Sequence, residues 1–215
     1  MNLRSSRLLA LLSLVIPKHE IRPLDTASAT QLTMTTSSGT GKIDWKVRPT
    51  NLEDEEAVGK LLKSSYGTLL SQDYSDNVLE KALPLITTPR RELLTCGTWF
   101  VVEDPQTTTV VGCGGWTREN PMAKAEGAAP HLRHFATDPT ALRRGVGRAL
   151  WKRIWSEVST AIGPNTPLEV ISTITARPFY ESIGFRVIQH MELPLADDCL
   201  FPSILMRRDA TTSPS

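Results

Sequence analysis

From Trp45 onward, apolar positions recur with two periods: every second residue in short runs, and every third or fourth in longer ones. "WKVRP" (Trp45–Pro49) predicts a short strand. In "TNLEDEEAVGKLLKSSYGTLL", Thr50 or Asn51 is placed to cap a helix. Glu53, Asp54, Glu55 and Glu56 crowd its first turn, where acids meet the positive end of the helix dipole. Val58, Leu61 and Leu62 then form its apolar stripe. "SDNVLEKAL" (Ser75–Leu83) predicts a second helix, ended by Pro84. "TWFVVED" and "TTVVGCGGWT" are two strand-like runs joined through "PQTT" as a hairpin. "HLRHFAT" (His131–Thr137) alternates and stops at Asp138-Pro139, so it reads as a further strand. "GRALWKRIWSEVSTAI" repeats its apolar face at Leu150, Ile154 and Val158, a long amphipathic helix. "PLEVIST" reads as a buried strand, "ARPFYESIG" as a short helix closed by Gly184, and "FRVIQHMEL" and "SILMRRD" as two final strands. The order β-α-α-β-β-β-α-β-α-β-β predicts one mixed α/β domain over residues 43–210, followed by a short tail, 211–215. No internal repeat is visible.

Residues 1–42 break this pattern. Arg4, Arg7, Lys18 and Arg22 occur with no acid before Glu20, and a Ser/Thr-rich stretch follows. The apolar run Leu8–Ile16 is too short to span a bilayer. Three readings are open: a disordered extension with Met34 as an alternative start, an organelle transit peptide, and a secretory signal cut near "ASA" at Ala27–Ala29. The expected location is intracellular: cytoplasmic, or organellar if the segment is a transit peptide.

Composition narrows the partners. Of 215 residues, 24 are Lys or Arg and 23 are Asp or Glu, a net charge of +1, so the whole chain offers no basic surface for nucleic acid or a membrane. The three cysteines, Cys96, Cys113 and Cys199, are widely spaced without a CxxC pair or a His/Cys cluster, so neither a metal site nor a disulfide framework is expected.

The stretch "LRRGVGRAL" (Leu142–Leu150) lies between the His131–Thr137 strand and the long helix. Amides at such a helix start have no internal partner and point outward, with the dipole behind them. Gly145 and Gly147 allow close approach, and Arg143, Arg144 and Arg148 add positive charge, so the loop suits an anion of pyrophosphate size. Leu150 is too large for the dinucleotide fingerprint GxGxxG, and the triphosphate loop GxxxxGK[ST] is absent.

"RRGVGRAL" together with the later "A..FYE..GF", in that order and on those elements, resembles the GCN5-related N-acetyltransferase (GNAT) superfamily. "VVGCGGW" and "HLRHFATDP" are similar to its central strands, and the resemblance spans Trp45 to Asp209. It implies an acyl-CoA N-acyltransferase fold: a twisted, mixed sheet splayed at its fourth strand and flanked by helices, with acetyl-CoA as co-substrate and no metal. It also implies that Phe135, Ala136 and Thr137 pair with the pantetheine arm, and that Arg143, Arg144, Gly145, Val146, Gly147 and Arg148 hold the pyrophosphate. Two departures stand out: Leu142 replaces a Gln or Arg, and Thr173 replaces an asparagine that touches the cofactor and can still hydrogen-bond in its place. A homodimer is a further implication of the resemblance.

Moving an acetyl group from a thioester to an amine requires a proton taken from the amine, donors for the oxyanion, and a proton for the departing thiolate. Most of the gain comes from holding both substrates together. The resemblance gives Tyr180 the role of general acid. The base stays open between His134, His131, Glu126 and an ordered chain of waters. On a regular strand His131 and His134 face opposite sides, whereas Arg133 shares the His131 side and suits an acceptor carboxylate. Cys113 lies in an apolar run with nothing to activate it. Trp99, Trp116, Trp151 and Trp155 read mainly as core, although Trp116 ends its strand near the expected acceptor and, with Tyr66 and Tyr74, is a candidate to line a pocket for a small apolar or aromatic amine. Arg207 and Arg208 read as solvated. The expected acceptor is a small-molecule amine, with a protein or peptide amine, or a non-catalytic acyl-CoA-binding module, as the alternatives.

Overall fold

The structure, a computed structural model, describes residues 43–121 and 129–210. The readings made for residues 1–42, for Glu126 and for the tail lie outside the described residues. Strand β1 (Lys46–Pro49) leads through a turn into α1 (Glu55–Leu69), and α2 (Asp76–Ile86) and the short α3 (Arg91–Leu94) follow. Then come β2 (Trp99–Glu103), β3 (Val110–Thr117), β4 (His131–Thr137), α4 (Val146–Ile162), β5 (Leu168–Ser172), α5 (Arg177–Ser182), β6 (Arg186–Ala196) and β7 (Cys199–Arg208). One sheet holds all seven strands in the order β1-β2-β3-β4-β5-β7-β6. Every neighbouring pair is antiparallel except β4 and β5. This is the mixed α/β architecture that the hydrophobic periods predict, with α3 added.

Asn51 makes the cap. Its side chain accepts the Glu53 N–H at 2.8 Å, and its own N–H donates to Asp54 Oδ2 at 2.9 Å. Pro84 does not end α2, which runs on to Ile86. The carbonyl that Pro84 leaves without a helical donor belongs to Glu80, on the exposed side, where water can serve it.

Alternation along β2 sends Phe100 and Val102 to one face and Trp99 and Val101 to the other. On the first face, Val146, Leu150, Ile154 and Val158 of α4 pack over Trp116, Leu132 and Val170. On the second, Val58, Leu61 and Leu62 of α1 cover Trp99, Cys113 and Ala136. A third cluster joins α2 to the β6–β7 hairpin, where Tyr74 stacks on Phe201 with ring centroids 4.6 Å apart.

Two basic side chains differ from expectation. Arg208 is 1 % exposed, with its guanidinium 4.0 Å from the Trp155 ring centroid, and Arg207 pairs with Glu169 and Asp209. The indole faces offset the loss of water around Arg208. The three cysteines are free thiols. Among the described residues, no helix is long and apolar enough to cross a membrane.

Candidate active site

The sheet opens where β4 meets β5. The two pair only at His131 with Glu169 and Leu132 with Val170, leaving Arg133 to Thr137 without a β5 partner. At about 3.3 Å per residue, roughly 16 Å of strand edge lies open. In the same stretch β4 carries a bulge. Gly115 pairs with Arg133 and Cys113 with Ala136, so His134 and Phe135 oppose the single Gly114. His134 absorbs the irregularity with a φ of 44°, in the left-handed region.

The bulge changes which side chains share a face. Simple alternation separates His134 from His131. Instead His134 lies edge-on to Trp99, ring centroids 6.3 Å apart, and both histidines feel the charge of Arg133. Phe135 points to the opposite face, 5.1 Å from Phe179 and 6.1 Å from Tyr180 between ring centroids. Ala136 is buried under α1, and Thr137 is half-buried beside the loop that follows.

That loop presents free donors. None of the N–H groups from Arg143 to Arg148 donates to another group among the described residues. Arg143 and Gly145 hold left-handed φ values of 62° and 95°, and Gly145 is the N-cap of α4. Left-handed residues in such a turn direct successive N–H groups into one concavity suited to an anion. The entry is pinned from behind. The Trp45 indole donates to the Arg144 carbonyl at 3.0 Å, and Val146 presses on Gly112, where an added Cβ would come within 2.6 Å of it. Arg144 also lies over the Trp45 ring and near Asp104, whereas Arg143 and Arg148 are exposed and have no ion pair among the described residues. Leu142 points to solvent, 40 % exposed.

Gly147 serves a different contact. An added Cβ would meet the Phe179 ring at 3.0 Å, so its missing side chain lets α4 approach α5. Its amide still belongs to the cradle.

Tyr180 completes the opening from α5. It is 4 % exposed, and burial pushes its phenol well above the ordinary value. Its hydroxyl makes no hydrogen bond among the described residues. Tyr66, near the end of α1, feels both the Tyr180 hydroxyl and the Cys113 thiol, so it reaches the same opening from the other side. Thr173 spends its acceptor locally: its hydroxyl oxygen takes the Ala176 N–H at 3.1 Å and keeps its own proton available. The Cys113 thiol is buried, pushed up to about 12, and aimed at the His134 carbonyl 3.8 Å away.

Three expected residues stand away from the opening. His131 is 3 % exposed, opposite Thr117 and Glu169 at the end where β4 and β5 still pair, and burial pushes its imidazole down to about 3. Trp116 is 1 % exposed in the α4 core, so it cannot touch an acceptor. Tyr74 is buried in the third cluster, and its hydroxyl accepts from the Ile174 N–H and donates to the Pro202 carbonyl, each at 2.8 Å. Of the residues expected from the sequence to line the pocket, Tyr66 does belong here, and so does Arg90, to which sequence spacing assigns no site role. Tyr66 faces Tyr180, and Arg90, before α3, lies in electrostatic range of Arg133 and His134. Both are distant from the motif residues in the chain, and no periodicity links them.

A donor-lined loop at a helix start, beside an open strand edge and a buried tyrosine, fits the phosphates and the extended arm of an acyl-CoA. Comparison with known proteins agrees. Over residues 71–193, more than half of the 215, the chain matches the family model described as "Acetyltransferase (GNAT) domain". No curated protein matches it in sequence. Among solved structures, a GCN5-related N-acetyltransferase from Rhodopseudomonas palustris superposes with a TM-score of 0.64 at 17% identity, covering 80% of this chain and 99% of that one. A PaiA N-acetyltransferase from Thermoplasma acidophilum, solved with coenzyme A, gives 0.57 at 13% identity, over 77% of this chain and 99% of its own. A histone acetyltransferase HPA2-related protein from Corynebacterium glutamicum gives 0.52 at 20% identity, over 79% and 98%. The phosphate-ready loop, the splayed sheet and the sequence match converge: this chain belongs to the GNAT acetyltransferase family, a CoA-binding acyltransferase fold.

Proposed function

We propose that the protein is an acetyl-CoA-dependent N-acetyltransferase that acetylates a small primary amine by direct transfer, with both substrates bound together. The observation that carries this reading is the coincidence, at one opening, of the free amides of Arg143–Arg148, the unpaired edge of β4 and the Tyr180 hydroxyl. When bound, acetyl-CoA supplies the activated acetyl thioester. The loop amides, with Arg143 and Arg148, hold its phosphates, and the edge from Phe135 to Thr137 aligns the arm by strand-like pairing. The bulge at His134 and Phe135 leaves backbone without a strand partner beside the reacting carbonyl. Burial keeps Tyr180 in its protonated form, the form a donor to a departing thiolate needs.

The state of Cys113 supports direct transfer over an acyl-enzyme on that residue: its thiol is sealed in the sheet and pushed up to about 12. Burial, with Arg133 and Arg90 beside it, pushes His134 down to about 3, and His131 is also held near 3. Neither imidazole retains a proton taken from an ammonium at neutral pH, so the amine loses its proton to water at the open edge.

Calorimetric titration with acetyl-CoA, followed by thiol release across a panel of primary amines, tests this reading. Tyr180→Phe should bind acetyl-CoA normally and lose about 100-fold in kcat. Normal turnover by that variant would remove Tyr180 from the chemistry. Failure of the wild type to bind acetyl-CoA would overturn the whole reading.

A further inference from the structure

An acyl group carried along the open edge of β4, from the phosphate loop toward the start of the strand, comes to the narrow end of the splay. There β4 and β5 still pair, at Leu132 with Val170, and that pairing ends the opening along the strands. Leu132 and Val170 belong to the core under α4, with Trp116 and Leu150, so the α4 face offers no room beyond them. Tyr180 stands on the same side, buried, with its ring centroid 6.1 Å from that of Phe135. A chain longer than acetyl can turn only toward the α1 face.

Tyr66 occupies that turn. It is half-buried in the last turn of α1, and its side chain packs against two clusters at once. One cluster holds Ala136 of β4 and Cys113, its partner on β3. The other holds Tyr74, whose hydroxyl accepts the N–H of Ile174 just past the end of β5. The ring therefore bridges the β4 side and the β5 end of the splay on the α1 face. Electrostatics place it there too: its hydroxyl feels both the Cys113 thiol and the Tyr180 hydroxyl. The side chain is also anchored. Leu62 and Leu70, one helical turn before and after it on the same face, are both buried. A ring packed in this way yields little to a chain that presses on it.

We infer that Tyr66 sets the length of the acyl group, admitting acetyl and meeting chains of four carbons or more with its ring. This rests on the acetyl-transfer reading above and adds the residue that selects the acyl donor.

Calorimetric titration of the full chain with CoA, acetyl-CoA, butyryl-CoA and hexanoyl-CoA tests it without any acceptor amine. The wild type should bind butyryl-CoA and hexanoyl-CoA at least about tenfold more weakly than acetyl-CoA, the cost of overpacking a fixed site. Tyr66→Ala should reverse the order, because the two further methylenes of butyryl-CoA then find apolar room, a gain of up to about 15-fold over acetyl-CoA. Tyr66→Leu, which keeps apolar contact with both clusters, should act in the same direction. Tyr66→Phe keeps the ring and should discriminate as the wild type does. Unchanged affinity for CoA itself shows that a variant is folded. Equal binding of acetyl-CoA and hexanoyl-CoA by the wild type, or undiminished discrimination in the Ala and Leu variants, would overturn this inference and leave the transferase reading standing. Failure of the wild type to bind CoA or any acyl-CoA would overturn both.

Discussion

At Gly115 the backbones of β2 and β3 approach so closely that an added Cβ would lie 2.1 Å from the Trp99 ring and 2.4 Å from the Thr98 carbonyl. Gly112, three residues earlier, makes the same allowance for Val146 at the start of α4. The "GCGG" run is therefore a clearance, holding Trp99 under His134 on one side and the start of α4 against the sheet on the other. Gly115→Ala should cost about 3 kcal/mol in urea denaturation, because the obstacle is backbone as well as ring. A loss below about 1 kcal/mol would mean that β2 shifts freely to make room. Residue types alone signalled a β-rich segment there; the reason for four small residues in a row appears only once α4 and β2 are in place.

Among the elements, α2 and the β6–β7 hairpin are far apart in the chain and meet through Tyr74. Its hydroxyl ties the Ile174 N–H, just after β5, to the Pro202 carbonyl in β7. That tie sets the end of β5 relative to β7 and, through the Thr173 cap, the start of the helix that carries Tyr180. Tyr74→Phe leaves both groups unpaired in a buried place and should cost about 2 kcal/mol of stability. It should also lower kcat while acetyl-CoA affinity stays near wild type, as calorimetry and steady-state kinetics would show. Unchanged stability would mean that water replaces the hydroxyl. The element boundaries show the same division: the period of apolar residues places β4 and α4 to within a residue, while Pro84 is overridden because its cost falls on an exposed carbonyl.

For the molecule as a whole, His131 and His134 set an acid limit. Both are held near 3 in the folded state, chiefly by burial, against an ordinary value of 6.5. Above pH 6.5 both states are neutral and the groups contribute nothing. As pH falls from 6.5 toward 3, the unfolded chain takes protons that the folded chain refuses, so stability falls. For His131 alone the loss between pH 7 and pH 5 should be about 2 kcal/mol. Urea midpoints at the two pH values should show it, and His131→Leu should remove that share of the slope. An unchanged slope in the variant would mean that His131 ionises inside the fold.

The amino-acid sequence by itself determined the order of elements, the two faces of the sheet, the phosphate-ready loop and the place of Tyr180, because each rests on local periods or on residues close together in the chain. It also carried the family. Only the tertiary structure decided the rest. The bulge turned His134 to the side of Arg133, since one unpaired residue resets an alternation that counting assumes is unbroken. Packing buried Trp116 and Arg208, tied up Tyr74, and gave Gly147 to the Phe179 contact. It also brought Arg90 to Arg133 and Tyr66 to Tyr180. Those pairings join segments that share no period and no motif, and burial fixes their charge states, which depend on what surrounds a group in space.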